Sequence, residues 1–222
     1  MAQNTGNAKN ILVGASPLFI SNLDVTSGTS YKENAEPGTA DAGAFVSGES
    51  YTDTLNAITP GSTFAYRNVG FTNNGLQITY NPTYDSVTVD QLLDTAKLFK
   101  SAMEVMIATE MSEGTLENVL LVFGQKASTL SGSTLGLEAG ALGAAPTERQ
   151  LIAIGQAPTT SSPNTERVYY ARRVLSVQQS QFSLARNTPT TFPVTFRLLP
   201  SGESAYAGSE YGKIIDRTWT PA

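Results

Sequence analysis

The feature that most limits how this chain can fold is a change of hydrophobic period within Gly70 to Gly124, GFTNNGLQITYNPTYDSVTVDQLLDTAKLFKSAMEVMIATEMSEGTLENVLLVFG. From Met103 to Met111 the period is two. Met103, Val105, Ile107, Thr109 and Met111 share one face of a strand, and Glu104, Met106, Ala108 and Glu110 share the other. That second face is mixed in character, which suits a partner or a channel better than bulk water. From Leu116 the period is that of a helix, with Leu116, Val119, Leu120 and Phe123 at i, i+3, i+4 and i+7. A half-buried strand followed at once by a short amphipathic helix implies a helix laid on a sheet. Thr115 suits the N-cap, Glu117 the positive end of the helix dipole, and Gly124 the left-handed residue past the C-terminus. Isolated helices of this length are marginal, so packing must hold it.

Upstream, Asn74-Gly75 predicts a tight hairpin turn, because both residues tolerate positive φ. Leu76, Ile78 and Tyr80 then alternate with Gln77 and Thr79, and Asn81-Pro82 predicts the end of that strand. Asp85, Val87 and Val89, alternating with Ser86 and Thr88, predict the returning strand. Asp90 to Lys100 reads as a helical turn or a long loop.

This order of signals resembles the tail tube (major tail) proteins of tailed bacteriophages. The resemblance rests on a Gly-x-Thr-x-x-Gly turn at Gly70, Thr72 and Gly75, the strand Ile78 to Tyr80, and the acidic run of Tyr84 with Val87 to Asp94. It closes on Thr115 to Asn118, which opens the helix. It covers about a quarter of the chain closely. In that family, subunits close into hexameric rings, the rings stack into a hollow tube, and DNA passes through the lumen into the host. The resemblance further implies contacts between subunits through the Asp90 to Lys100 segment, with Asp90, Gln91, Leu92 and Asp94 as the residues concerned. The implied partners are copies of the chain itself and other tail proteins such as tape measure, terminator and baseplate or tail-tip components. DNA would be a transient occupant only. The implied location is the virion tail, after assembly in the bacterial host cytoplasm.

Composition narrows the alternatives. With no histidine and no cysteine, the chain cannot form a Ser-His-Asp or Cys-His triad, a disulfide or an ordinary zinc site. No catalytic, cofactor-binding or metal residue is assigned, and the chain is not expected to be an enzyme. Asp90 and Asp94, at i, i+4, are the nearest acidic pair for a carboxylate-based hydrolase. The net charge of −5 argues against a protein that coats nucleic acid. Residues 1–111 carry 5 basic and 11 acidic groups, whereas residues 112–222 carry 9 and 8. Apolar runs fall short of the roughly 20 residues that cross a bilayer, and MAQNTGNAKN has no hydrophobic signal core. The expectation is a soluble chain with no membrane partner and no cleaved signal.

Along the chain, Ile11 to Ile20 predicts a first strand broken at Ser16-Pro17, with the proline favouring an edge or a bulge. Residues 21–62 are polar, with aromatics at Tyr31, Phe45 and Tyr51. They read as a long arm or an inserted hairpin whose aromatics dock on a neighbour. Further strands are expected at Phe64–Phe71, Arg149–Gly155, Arg167–Val177, Thr191–Leu198 and Lys213–Trp219, with a low-complexity loop at 125–146. Pro193 again favours an edge. Arg172 and Arg173, adjacent on a strand, point to opposite faces and should pair with carboxylates.

The expected fold is therefore mainly β: one domain over 1–222, an antiparallel β-sandwich or partly closed barrel with one flanking α-helix and long loops. Glu104 and Glu110 are candidates for a lumen wall, or else for ion pairs with Arg172, Arg173 or Lys97 on an outer surface. A carbohydrate-binding or adhesive β-sandwich, with Trp219 as its aromatic, is the alternative to a tube subunit.

Overall fold

A computed structural model describes residues 12, 14–21, 36–39, 42–58, 66–88, 94–140, 142, 146–158, 164–177, 180–184, 186–187 and 189–220. It is mainly β. Among the described residues, ten strands and two α-helices follow in the order β1 (Leu18–Ser21), α1 (Tyr51–Ala57), β2 (Tyr66–Asn68), β3 (Thr72–Thr88), β4 (Thr95–Met111), α2 (Leu116–Val122), β5 (Leu130–Ser131), β6 (Thr134–Leu135), β7 (Arg149–Gln156), β8 (Thr165–Ser176), β9 (Phe192–Leu198) and β10 (Gly212–Thr218). Eight strands make one antiparallel sheet in the order β2-β1-β7-β8-β9-β4-β3, with β10 also on β8; β5 and β6 form a small separate hairpin.

The sheet is bent into two layers at β8. β7 runs along one edge of β8, while the other edge carries β10 over Thr165–Ala171 and β9 over Val174–Ser176. The β7–β8 register slips between Arg149↔Val174 and Leu151↔Ala171, so β8 carries an extra residue at Arg172-Arg173. A bulge of this kind bends a strand and raises its twist. Here it turns β8 out of the layer β2-β1-β7-β8-β10 and into the layer β9-β4-β3.

The first layer is buried on both faces. On one, Phe19, Ile152, Ile154, Val168 and Tyr170 meet Tyr51 and Leu55 of α1. On the other, Leu18, Ile20, Leu151, Ala153 and Val174 meet Val105, Ile107 and Met111 of β4, Phe192, Val194 and Phe196 of β9, and Leu120 to Val122 of α2. This is why Arg149 to Ile154 in β7 are all buried rather than alternating. The second layer alternates as expected, with Glu104, Met106, Ala108 and Glu110 half-buried on its outer face.

Helix α2 begins and ends as its sequence predicts. Thr115 accepts the Asn118 N–H. At the other end Gly124 (φ 61°) donates to Leu121 O and Gln125 donates to Leu120 O, a Schellman closure. Its buried face is rotated from the predicted one: Asn118, Leu120, Leu121 and Val122 are inside, whereas Leu116 and Phe123 are exposed. Asn118 sets the rotation, because its amide donates to Val69 O and Glu113 O, each at 2.9 Å.

Four other expectations are corrected. Asn74-Gly75 does not end a strand. Both residues keep positive φ, 60° and 70°, but they form a bulge inside the 17-residue β3, where Asn73↔Glu110 is followed by Gln77↔Ala108. The Thr109 hydroxyl holds the bulge by donating to Gly75 O at 3.0 Å. Pro82 does not end the strand either; it pairs with Met103, and β3 is an edge strand with one neighbour, which tolerates a missing N–H. Thr95 to Lys100, expected as helix or loop, is strand and extends β4 to 17 residues. Pro17 and Pro193 do not mark edge strands, because β1 and β9 both lie within the sheet. Pro17 precedes β1 and offers only its carbonyl, to Ile154 N–H. Pro193 lies beyond the reach of β8, whose pairing with β9 covers Phe196–Leu198.

Residues 21–62 also hold more structure than an arm or hairpin, since α1 packs on the chain's own sheet. Ser50 caps it, accepting from Asp53 N–H at 3.2 Å while its hydroxyl donates to Asp53 Oδ2 at 2.7 Å.

Burial of Leu120 yields a direct test. Leu120→Asp should cost about 3–5 kcal/mol, because an unpaired carboxylate replaces a packed leucine. Chemical denaturation should show loss of the cooperative transition, while Leu116→Asp, on the exposed side, should stay within about 0.5 kcal/mol of wild type.

Candidate assembly surface

Three surface features stand out against this core, and all lie on or beside β3, β4 and β10. The first is a ribbon. β9 accompanies β4 only over Met106–Met111, so the far halves of β3 and β4 continue beyond the sheet as a two-stranded ladder. Thr83–Thr88 and Thr95–Ala102 are exposed throughout, a projection of roughly 20 Å at about 3.4 Å per residue. Tyr84, Val87, Leu98 and Phe99 are large apolar side chains left in solvent along it. Tyr84↔Lys100 and Ser86↔Leu98 share one face, and Asp85↔Phe99 and Val87↔Lys97 share the other, so neither face is purely polar. Two-stranded ladders are marginal by themselves.

The second feature is a pair of open strand edges. Among the described residues, β3 pairs only with β4, and β10 only with β8. Between them lies the third, an apolar groove of about 210 Å³ lined by Ile78 and Tyr80 of β3, Met103 and Val105 of β4, Tyr211, and Ile214 of β10. The two layers do not close over it.

The expected site residues separate into groups. Asp94 sits at the tip end of the ribbon, where its Oδ1 accepts Thr95 N–H at 2.6 Å; Asp90, Gln91 and Leu92 lie outside the described residues, as does Tyr31. Glu104 and Glu110 do share the outer face of β4. Glu104 lies 3.5 Å from Arg197 of β9, and Glu110 accepts from Asn73 at 3.4 Å, so neither pairs with Arg172, Arg173 or Lys97.

Phe45 and Tyr51 are engaged within the chain. Tyr51 is fully buried, its hydroxyl donating to Ala42 O at 2.7 Å and its N–H to Glu166 Oε1 at 2.8 Å. Phe45 stacks edge-on against it at 4.9 Å, with the Arg217 guanidinium over the Phe45 ring. Arg217 also donates to Val46 O and Glu49 O and lies 2.9 Å from Glu166. Residues 36–39 and 42–50 form a strap, and at its other end Glu36 bonds both the fully buried Arg172 and Lys213. Arg172 lies over the Tyr206 ring at 3.7 Å and donates to Ser209 O. Arg173 forms a two-pronged pair with Glu148 at 2.6 and 2.8 Å, so both arginines do pair with carboxylates, but the bulge sets them together opposite Gln150 rather than on alternate faces.

The ribbon aromatics and the groove were missed because Asn74-Gly75 and Pro82 read as strand ends. The signal that could have found them is the polar-apolar alternation from Leu76 to Tyr84, which runs through Pro82 and is matched by that of Met103 to Met111. Helix α1 had its signal in Ser50-x-x-Asp53 before Thr54 and Leu55.

No protein-family model matches this chain. No curated protein matches it significantly.

The strap makes a pH-dependent prediction. Burial alone would raise the Glu36 carboxyl, but hydrogen bonds from Lys213 and Arg172 outweigh it and hold the group below its ordinary value of 4.5. As pH falls below 4.5 the unfolded chain takes up this proton first, so stability that is fully present above that value is lost in the acid range. Thermal melts of wild type and Glu36→Gln should therefore differ most at neutral pH and converge as pH drops through 4 towards 3. A gap that stays constant across that range would show that the Glu36 charge is not what fastens the strap.

Proposed function

We propose that the chain is a structural subunit that assembles with copies of itself into a tube, and that it is not an enzyme. The single observation that carries this reading is the β3–β4 ribbon, which extends beyond the sheet with Tyr84, Val87, Leu98 and Phe99 exposed between two open strand edges. A lone molecule gains nothing from such surfaces and risks non-specific pairing through them. A second copy can cover them. The chain's open edges and ribbon are different patches, so contacts between copies are heterologous and close into rings or propagate into a tube.

The resemblance to phage tail tube proteins adds the rest: stacked hexameric rings in the virion tail, neighbouring tail proteins at the ends, and DNA as a transient occupant. On this reading the outer face of β4 borders the lumen, with Glu110 repelling phosphate. The alternative, a carbohydrate-binding module, finds Tyr80, Tyr169 and Tyr211 in the groove, but Ile78, Val105 and Ile214 give a sugar few polar partners there. Trp219, the aromatic first considered for it, is half-buried.

Sedimentation and negative-stain microscopy of the purified chain at rising concentration should reveal rings or tubes of uniform diameter. Leu98→Ser with Phe99→Ser should leave the melting transition nearly unchanged, since both side chains are exposed, yet abolish assembly. A wild-type chain that stays monomeric at all concentrations and salts would overturn the proposal. Within assembled tubes, Glu110→Lys should cause salt-sensitive retention of DNA. Blocked assembly without DNA retention would instead place Glu110 at a contact between subunits.

A further inference from the structure

Phe71 is a large aromatic fixed in place yet pointing into solvent. It stands immediately ahead of β3 with 81% of its surface exposed. Its backbone is held on both sides: its N–H donates to Glu113 Oε1 at 3.0 Å, and its carbonyl accepts Ser112 N–H at 2.9 Å. The preceding Gly70 has φ 83°, and a side chain there would collide with the Glu113 carboxylate. The ring is thus presented by a rigid corner, at little further entropic cost on binding.

The groove between β3 and β10 is the complementary shape. Its volume of about 210 Å³ is ample for one aromatic ring, given that an apolar cavity of roughly 150 Å³ takes benzene. Ile214 on its rim is 67% exposed. The charges also match. Phe71 is collared by Glu113, which holds its N–H, and by Glu110, across the ladder from Asn73. The groove is rimmed by Lys100, whose Nζ lies 3.5 Å from the Sδ of Met103 in the groove wall.

We infer that Phe71 of one copy seats in the apolar groove between β3 and β10 of the next. The two sites cannot meet within one molecule: six residues of β3, Thr72 to Gln77, separate Phe71 from Ile78, roughly 20 Å at about 3.3 Å per residue. The contact is therefore head-to-tail along the strand direction. It repeats from copy to copy, with the acidic collar of one against Lys100 of the next. The inference rests on the self-assembly reading and specifies one contact within it.

The chain has no cysteine, so introduced thiols report on this contact alone. Phe71→Cys and Ile214→Cys chains, prepared separately, mixed and oxidised, should give a disulfide-linked dimer on a non-reducing gel. A mixture of Leu184→Cys, also highly exposed, with Ile214→Cys should not. Phe71→Ser should weaken association by about tenfold or more, with an unchanged melting temperature, and Phe71→Trp should retain it. If wild type assembles but the Phe71/Ile214 pair links no better than the control, the contact is wrong and self-assembly stands. If wild type neither assembles nor supports the link, both readings fall.

Discussion

The bulge at Arg172-Arg173 is the constraint on which the architecture depends. Before it, β8 is flanked by β7 and β10; after it, by β9. Without that extra residue β8 would continue straight, and β9, β4 and β3 would extend the first layer as a flat sheet with its Val105, Ile107 and Phe196 face in water. The two arginines fill the bend and take different carboxylates. Arg172 is taken into the protein and Arg173 to Glu148, so each long side chain finds a carboxylate of its own. Burying a guanidinium is costly unless every donor is engaged. Glu36, Ser209 and the Tyr206 ring meet that demand, and in doing so they bind the strap to the bend.

The strap in turn explains why β10 stays on the sheet while its outer edge is open. Lys213 and Arg217 project from the same face of β10, one to Glu36 and the other to Val46, Glu49 and Glu166. Ile215 between them enters the cluster around Tyr51. Glu166 lies inside this contact, and burial raises its carboxyl above the ordinary value although Tyr51 N–H and Arg217 pull the other way. The strap is thus fastened by charge at both ends and by aromatic packing at its middle. Helix α1, only seven residues long, is stable as part of that packing rather than by itself.

Local signals made much of this legible. The alternation of Met103 to Met111 and of Phe192 to Leu198, the cap at Thr115 and the closure at Gly124 each depend on one or two residues of context, and each appears where the pattern puts it. Failures arose where one local conformation serves two tertiary purposes. Asn74 and Gly75 adopt the positive φ that their types favour, but that geometry also suits a bulge, and only the distant Thr109 hydroxyl selects it. Pro82 is compatible with a strand end and with an edge strand alike. Asn118 turned α2 by making a buried amide outweigh Leu116 and Phe123, a decision taken by Val69 and Glu113 rather than by the helix. Of the surface residues, Glu104 and Glu110 could be placed together by period alone, whereas the groove needed β10 to come beside β3, which no spacing of residues reveals.

Open edges are a hazard that this chain limits by charge. On the ribbon, Asp85, Lys97 and Lys100 alternate with Tyr84, Val87, Leu98 and Phe99; on β10, Lys213, Asp216 and Arg217 surround Ile214. A random strand approaching the ribbon would bury Asp85, Lys97 or Lys100 without a partner, at a cost larger than the gain from one apolar pair. A copy of the same chain, arriving in one register, can match acid to base along the whole edge. Charges of this kind discourage indiscriminate pairing, so a partner that covers such an edge must match them before the apolar side chains can supply affinity.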